Sequence, residues 1–591
     1  MEFHGASVLQ TPLRPRANNG NGKTDALRGE KLQRPHTNVS AIIFLLPGAP
    51  RTRYRHPDGR AFRPHATPMN TSARTVLLMS ALATLAPSPI TTRAASPVGE
   101  FENHADIGAP KIAGSASYDA VRQEYLFSAA GTNMWATRDE FHFAWKKLNG
   151  DFLVRTRVEF LGPGVIAHRK VGIMVRANLE ADAPYADCAE HGEHKLTSLQ
   201  FRRTKGAISE QIELPLAGAE VLQFERRGKT FIFSAAHFGE PFVSAALKDF
   251  DLGDDVFVGL FLCSHHAAIE EHAVFRDVRI IRPAKPGFTP YRDYIGSTLE
   301  VLNVFTGRLM ALYRSAEPFE APNWMHDGAA LLYNISGRGE NRGLLRRFDL
   351  ATGQPLPFDT DFANRNNNDH VLSFDGRMLG ISHQGPETGN RSAVYVLPAT
   401  GGKPRLVTPN TPSYFHGWSP DGKFLVYAGG RRAPGATVDK YEIYKIPVDG
   451  GDEVRLTDAP GRSDGPEFSP DGKLIYFNST RAPDGGATGT MQLWRMRPDG
   501  SAPEQLTHDE FNNWFPHVSP DGKWIAFISF PADVAPEDHP YYRQCYLRLM
   551  PVDGGPARVV AYVYGGQGTI NVPSWSPDSR RIAFVSNNDM N

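Results

Sequence analysis

Between Val98 and Pro283 apolar and polar residues alternate in short runs, among them DFLVRTRVEF, KVGIMVRANL, EVLQFERRGKTFIFSAAHFGEPF and VFVGLFLCSHH, separated by glycine and charged turns. Alternation sends every second side chain to one face, so these runs predict antiparallel strands in two sheets packed face to face. After a linker at 284–296 a motif starts to recur: NWMHDGAALLYNIS, HVLSFDGRMLGIS, HGWSPDGKFLVYAGG, PEFSPDGKLIYFNS, PHVSPDGKWIAFIS and PSWSPDSRRIAFVS. Its turn aspartates, Asp327, Asp375, Asp421, Asp471, Asp521 and Asp578, stand 46 to 57 residues apart, the length of a four-stranded propeller blade. The sixth copy supplies two strands, and an unmatched pair opens the region at Ser297–Tyr313. Joining the two completes a blade and removes the exposed edges of an open array. The predicted fold is all-β: a β-sandwich over 98–283, then a six-bladed propeller over 297–591.

Composition narrows the partners. The chain of 591 residues balances 64 Lys and Arg against 64 Asp and Glu, so no net field draws it to nucleic acid or anionic lipid. No run reaches the roughly 20 apolar residues of a membrane span. A segment from Met69 carries Arg74, an apolar stretch from Val76 to Ala86 and small residues around Ala94 and Ala95. That order reads as a signal peptide at 69–95 and a periplasmic or secreted protein, with 1–68 a disordered or misassigned leader. Export permits one disulfide, Cys188 with Cys263; the alternative is that these two and Cys545 are free and buried.

GIMVRANL, LQFERRGKTFIFSAA and VGLFLCSHH followed by AVFRDVRI resemble the concanavalin or laminin-G-like jelly roll found beside carbohydrate-active modules. The SPDGK copies resemble six-bladed propellers of the TolB type, which serve as interaction scaffolds, as non-catalytic domains of peptidases and as polysaccharide lyases. Propeller oligogalacturonate lyases offer a precedent for histidine and metal in such a funnel, but their closely spaced histidines are not matched in WFPHVSPDG, which holds only His517. A serine peptidase is not expected, for want of a Gly-x-Ser-x-Gly elbow.

Pro-Asp-Gly is turn chemistry, so the six aspartates are assigned to structure. Trp324, Leu372, Trp418, Phe468, Val518 and Trp575, three residues before them, are apolar throughout and are read as packing between blades. Candidate chemistry sits where the copies differ, at the rim opposite those turns. Asp369, His370 and His383, then His416, Arg431 and Arg432, then Asp464, Glu467 and Arg481 come from copies two to four. Asn512, Asn513, Trp514 and His517, with Gln567 and Asn571, come from copies five and six. A ring of varied polar groups around an aromatic suits a polyhydroxylated ligand, an oligo- or polysaccharide, with Trp514 as the stacking face.

The catalytic candidates are His416, Asp464, Glu467 and His517; His370, Arg431, Arg481, Asn512, Asn513, Trp514, Gln567 and Asn571 are binding candidates. A hydrolase would use Asp464 and Glu467, although an ordinary strand turns residues three apart to opposite faces. A lyase would pair a histidine with Arg431 or Arg481. A divalent metal would sit among His370, His416 and His517. Two alternatives stay open: a wet channel with no ligand, and a non-catalytic envelope module that binds a peptide or protein.

Overall fold

The computed structural model describes residues 97–192, 196–289 and 292–590; the expected leader and signal peptide lie outside the described residues. Strands dominate, and a single 3-10 turn at Pro386–Thr388 is the one helical element among the described residues. None of these residues forms a helix long and apolar enough to cross a membrane.

Two seven-stranded antiparallel sheets come first. One runs in the order Asn103–Ile107, Phe141–Asn149, Asp255–Cys263, Lys170–Arg176, Tyr185–His191, Leu196–Arg202, Glu210–Ala217. The other runs Val243–Leu247, Thr230–Ala236, Val221–Arg227, Phe152–Leu161, His266–Ile281, Glu124–Gly131, Ser115–Asp119. Ile173, Leu199 and Leu260 of the first sheet share one buried cluster with Phe127, Phe233 and Phe275 of the second. Each such side chain contributes about 2 kcal/mol by leaving water. All three cysteines are buried and free. Cys188 lies in that shared cluster, whereas Cys263 belongs to a cluster with Phe141, Phe143 and Tyr185. Their side chains therefore leave the first sheet on opposite sides, and no disulfide joins them.

Six blades follow. Five are four-stranded sheets whose innermost strands are Phe319–Trp324, Asn366–Leu372, Ser413–Trp418, Ser463–Phe468 and Asn512–Val518. The sixth joins the ends of the propeller: Gly296–Asn303 pairs on one side with Leu309–Ser315 and on the other with Arg581–Asn588, in register Leu299 to Val585. A bridge from Trp575 to Ile582 supplies its inner edge.

The repeated turn explains why copies two to six close alike. Ser419 donates its hydroxyl to Asp421 Oδ1 at 2.6 Å, that oxygen accepts the Lys423 amide, and the Ser419 oxygen accepts the Phe424 amide. Gly422 takes the positive φ, 69°, that ends the turn. The same serine–aspartate bond recurs at Asp375, Asp471 and Asp521, so these carboxylates are occupied by their own backbone.

The sheets and the propeller meet over blades five and six. Phe242 packs on Tyr562 with ring centroids 4.6 Å apart, and Arg279 donates to Glu300 at 3.1 Å in a buried ion pair. The chain between them is pinned where the Ile295 amide donates to the Tyr542 hydroxyl at 3.1 Å. That anchor places Tyr294 at the propeller mouth.

Candidate functional site

A cavity of about 490 Å³ opens at the end of the propeller opposite the aspartate turns. The first strand of each blade begins there, and sequence position relative to the turn decides what it presents. Seven residues before the turn aspartate stand Glu320, Asn368, Tyr414, Asp464, Trp514 and Asn571; all but Trp514 line the cavity.

Local strain shapes this ring. Six residues before the turn, Ala321, Gly465 and Phe515 have φ of 55°, 57° and 54°, and the ladders of their blades are interrupted at the same place. A bulge adds a residue and re-aims its neighbours, a device common beside active sites. In blade four it separates Asp464 from Glu467. In blade five it puts Phe515 on the cavity wall and turns Trp514 into the core.

Asp464 is the best-supported carboxylate. Arg462 donates through Nη2 and Nε to its Oδ2 at 2.7 and 3.1 Å, the Gly465 amide donates to Oδ1 at 2.9 Å, and His416 Nε2 lies 3.4 Å from Oδ1. Burial alone would raise its pKa, but Arg462 and then His416 overcome this and hold it well below the usual carboxylate range. Burial likewise disfavours a charged His416, yet Asp464 and Asp369 together raise its pKa above the ordinary imidazole value. Asp369, bonded by the Asn367 amide at 2.6 Å, is pushed up to about 6 by burial, with His416 pulling the other way. Glu320, bonded by the Asn368 amide at 3.0 Å, is pushed up to about 7 by burial. His539 is driven down to about 4 by burial and by Arg462. One mouth thus holds carboxyl groups shifted in opposite directions.

Of the expected residues, His416, Asp464, Gln567, Asn571 and Asp369 line the cavity; the others do not. His517 presents Nδ1 to Glu467 Oε2 at 2.7 Å and Nε2 to the Ile570 carbonyl at 2.5 Å, while Glu467 Oε1 accepts the Val518 amide at 3.0 Å. This pair is a strut across three blades. Asp464 and Glu467 therefore do not flank a common opening.

His370 turns its Nε2 to the Leu332 carbonyl. The three histidines consequently have separate partners, and among the described residues no group of three or more His, Cys, Asp or Glu could hold a metal. Arg431 makes a two-point bond to Glu453 at 2.8 and 2.7 Å. Arg481 is buried over Phe477 and Trp494. Asn512 joins the Met491 amide to the Val534 carbonyl, and Asn513 bonds Thr507, Asp509 and Ser529. Trp514 is fully buried beneath Phe515, His539 and Arg462, so its face is not open to a ligand.

Sequence reasoning missed Glu320, Tyr414, Tyr441, Arg462, His539 and Tyr541, which all line the cavity. Counting back seven residues from each turn finds the first two. His539 and Tyr541 come from the connection between Trp524–Phe530 and Arg543–Pro551, which matches nothing in the other copies.

The TolB beta propeller domain family matches residues 390–538. An uncharacterized protein of Agrobacterium fabrum (strain C58) is 46% identical over 291 residues, which are 49% of this chain and 92% of that protein. A solved structure from Agrobacterium tumefaciens, described as a "putative TolB", is 44% identical, covers 50% of this chain and 99% of its own, and superposes with a TM-score of 0.45. An oligogalacturonate lyase of Vibrio parahaemolyticus is 13% identical over 49% of this chain and 82% of its own, with a TM-score of 0.33. The chain belongs to the family of that Agrobacterium fabrum protein, the TolB-like six-bladed β-propellers.

Proposed function

We propose that the chain is an exported, periplasmic TolB-like propeller whose mouth binds a saccharide of one or two rings, and that its N-terminal sheets form a concanavalin or laminin-G-like jelly roll beside it. One observation carries this reading: Glu320, Asn368, Tyr414, Asp464 and Asn571, from five different blades, meet at one cavity of about 490 Å³. Sugar hydroxyls need both donors and acceptors to replace the water they lose. Carboxylates, amides, the Arg462 guanidinium and the Tyr414 and Tyr441 rings offer both, with flat faces for the ring carbons, and the volume falls in the small-ligand range. Calorimetric titration of the mature protein with a panel of mono- and disaccharides tests it. Asp464→Asn and Tyr441→Ala should each weaken a binding sugar about tenfold or more; absence of binding at millimolar concentration across the panel removes the reading.

Cleavage of the bound glycan is a second reading, supported by the opposite shifts of Asp369 and Asp464 on either side of His416. Acid–base hydrolysis needs two carboxyl groups whose proton affinities have been driven apart. Product formation from a binding oligosaccharide, lost in Asp369→Asn, is its test. Docking of a peptide or protein is the rival drawn from the family itself, and capture of a peptide with no sugar bound would favour it.

A further inference from the structure

The geometry points to an ammonium-binding subsite centred on Glu320, so that the saccharide taken by the mouth carries a free amine; this rests on the saccharide reading above. Glu320 is buried in the cavity wall and forms no ion pair among the described residues. Arg462, a partly buried cation of the mouth, is already spent on Asp464 at the other side, and Arg342 and Arg365, which also line the mouth, form no ion pair with Glu320 among the described residues.

Glu320 accepts the Asn368 side-chain amide at 3.0 Å, but several acceptors of the same wall have no donor. Asn334 stands directly opposite it across the first two strands of blade one, and its Oδ1 has no hydrogen-bond partner. Asn366 donates both amide hydrogens, to the Gly343 and Ala363 carbonyls at 2.8 and 2.7 Å. Its orientation is therefore fixed, and it leaves a buried Oδ1 unpartnered. Gln567 adds another unpartnered oxygen, Oε1, beside Gly568. A Cβ on Gly568 would lie 2.4 Å from Glu320 Cγ, so this glycine admits the carboxylate to its place. Tyr294 and Tyr541, rings 5.8 Å apart, stand in the same wall.

A carboxylate without a countercharge, three orphaned amide oxygens and two aromatic rings are complementary to a cation rich in N–H. Leaving buried acceptors unmade is costly, and a donor that satisfies them recovers the cost. A primary ammonium offers three N–H groups at one atom and interacts favourably with tyrosine faces. A hydroxyl offers one, and an N-acetyl group replaces the charge with bulk.

The test is titration of the full mature chain with a β-1,4-linked glucosamine disaccharide, its N,N′-diacetyl form, cellobiose and a tripeptide with a free amino terminus. The amine disaccharide should bind about tenfold or more tighter than the other two sugars. Glu320→Gln should erase that preference, so that the three sugars bind alike whatever the change in overall affinity. Gln567→Leu, at a partly exposed position, should reduce the preference severalfold, and thermal unfolding confirms that both variants are folded. Equal affinity for the three sugars, or a preference surviving in both variants, overturns the ammonium subsite and leaves the saccharide reading standing. Binding of the tripeptide alone overturns both.

Discussion

The two ends of the propeller are built from the same strands yet obey different rules. At the turn end the hairpin closes on itself: in copies two to six the aspartate is bonded by the serine two residues before it and by the amide two residues on. At the mouth, Glu320, Tyr414, Asp464 and Asn571 occupy equivalent positions with different chemistry, and bulges at Ala321, Gly465 and Phe515 break the ladder. Repetition marks what the ring needs in order to close. Variation at a fixed distance from the repeat marks what remains for a ligand.

The comparison is broken most severely at Asp464. Asp464→Ala leaves Arg462 and His416 without their carboxylate, and should cost about 3 kcal/mol of stability together with ligand affinity, measured by urea unfolding and titration. Glu467→Ala strips His517 and the Val518 amide of their partner. It should cost about 2 kcal/mol with sugar affinity unchanged; a loss of affinity in folded protein would return the Glu467–His517 strut to the site.

Glu320 provides a pH handle. Its folded pKa of about 7 stands above the ordinary glutamate value, so the folded state binds the proton more tightly than the unfolded chain. The associated stability is present below about pH 4 and is lost as pH rises through 7, about 3 kcal/mol in all. Unfolding of Glu320→Gln and the native sequence between pH 5 and 8 should show the variant gaining on the native protein as pH rises. A constant difference would contradict the burial of an ionisable group there. The smallest effect belongs to the turn end: Asp421→Ala, which removes the acceptor of the Ser419 hydroxyl and the Lys423 amide, should cost about 1 kcal/mol and leave binding untouched.

The propeller was legible because its turn chemistry is local: Asp and Gly at fixed offsets announce the hairpin whatever surrounds it. The mouth was legible in part. His416 and Asp464 stand out as polar departures from the repeat, and they do meet at 3.4 Å. Trp514, Glu467 and His517 stand out for the same reason, yet they face inward. A bulge shifts side-chain direction by one residue, and the backbone torsions that produce it at Phe515, a residue that rarely adopts positive φ, are not written in composition. Glu320 and Asn366 draw their meaning from neighbours on other blades and loops, which no single copy reveals.

The most direct test is a crystal structure of the mature protein with a disaccharide selected by titration. The account predicts density for the sugar within the mouth, in hydrogen-bond contact with Asp464 and Tyr414 and reaching toward Glu320. Sugar bound on the N-terminal sheets or at the Asp-Gly turn end, with the mouth empty, would contradict it.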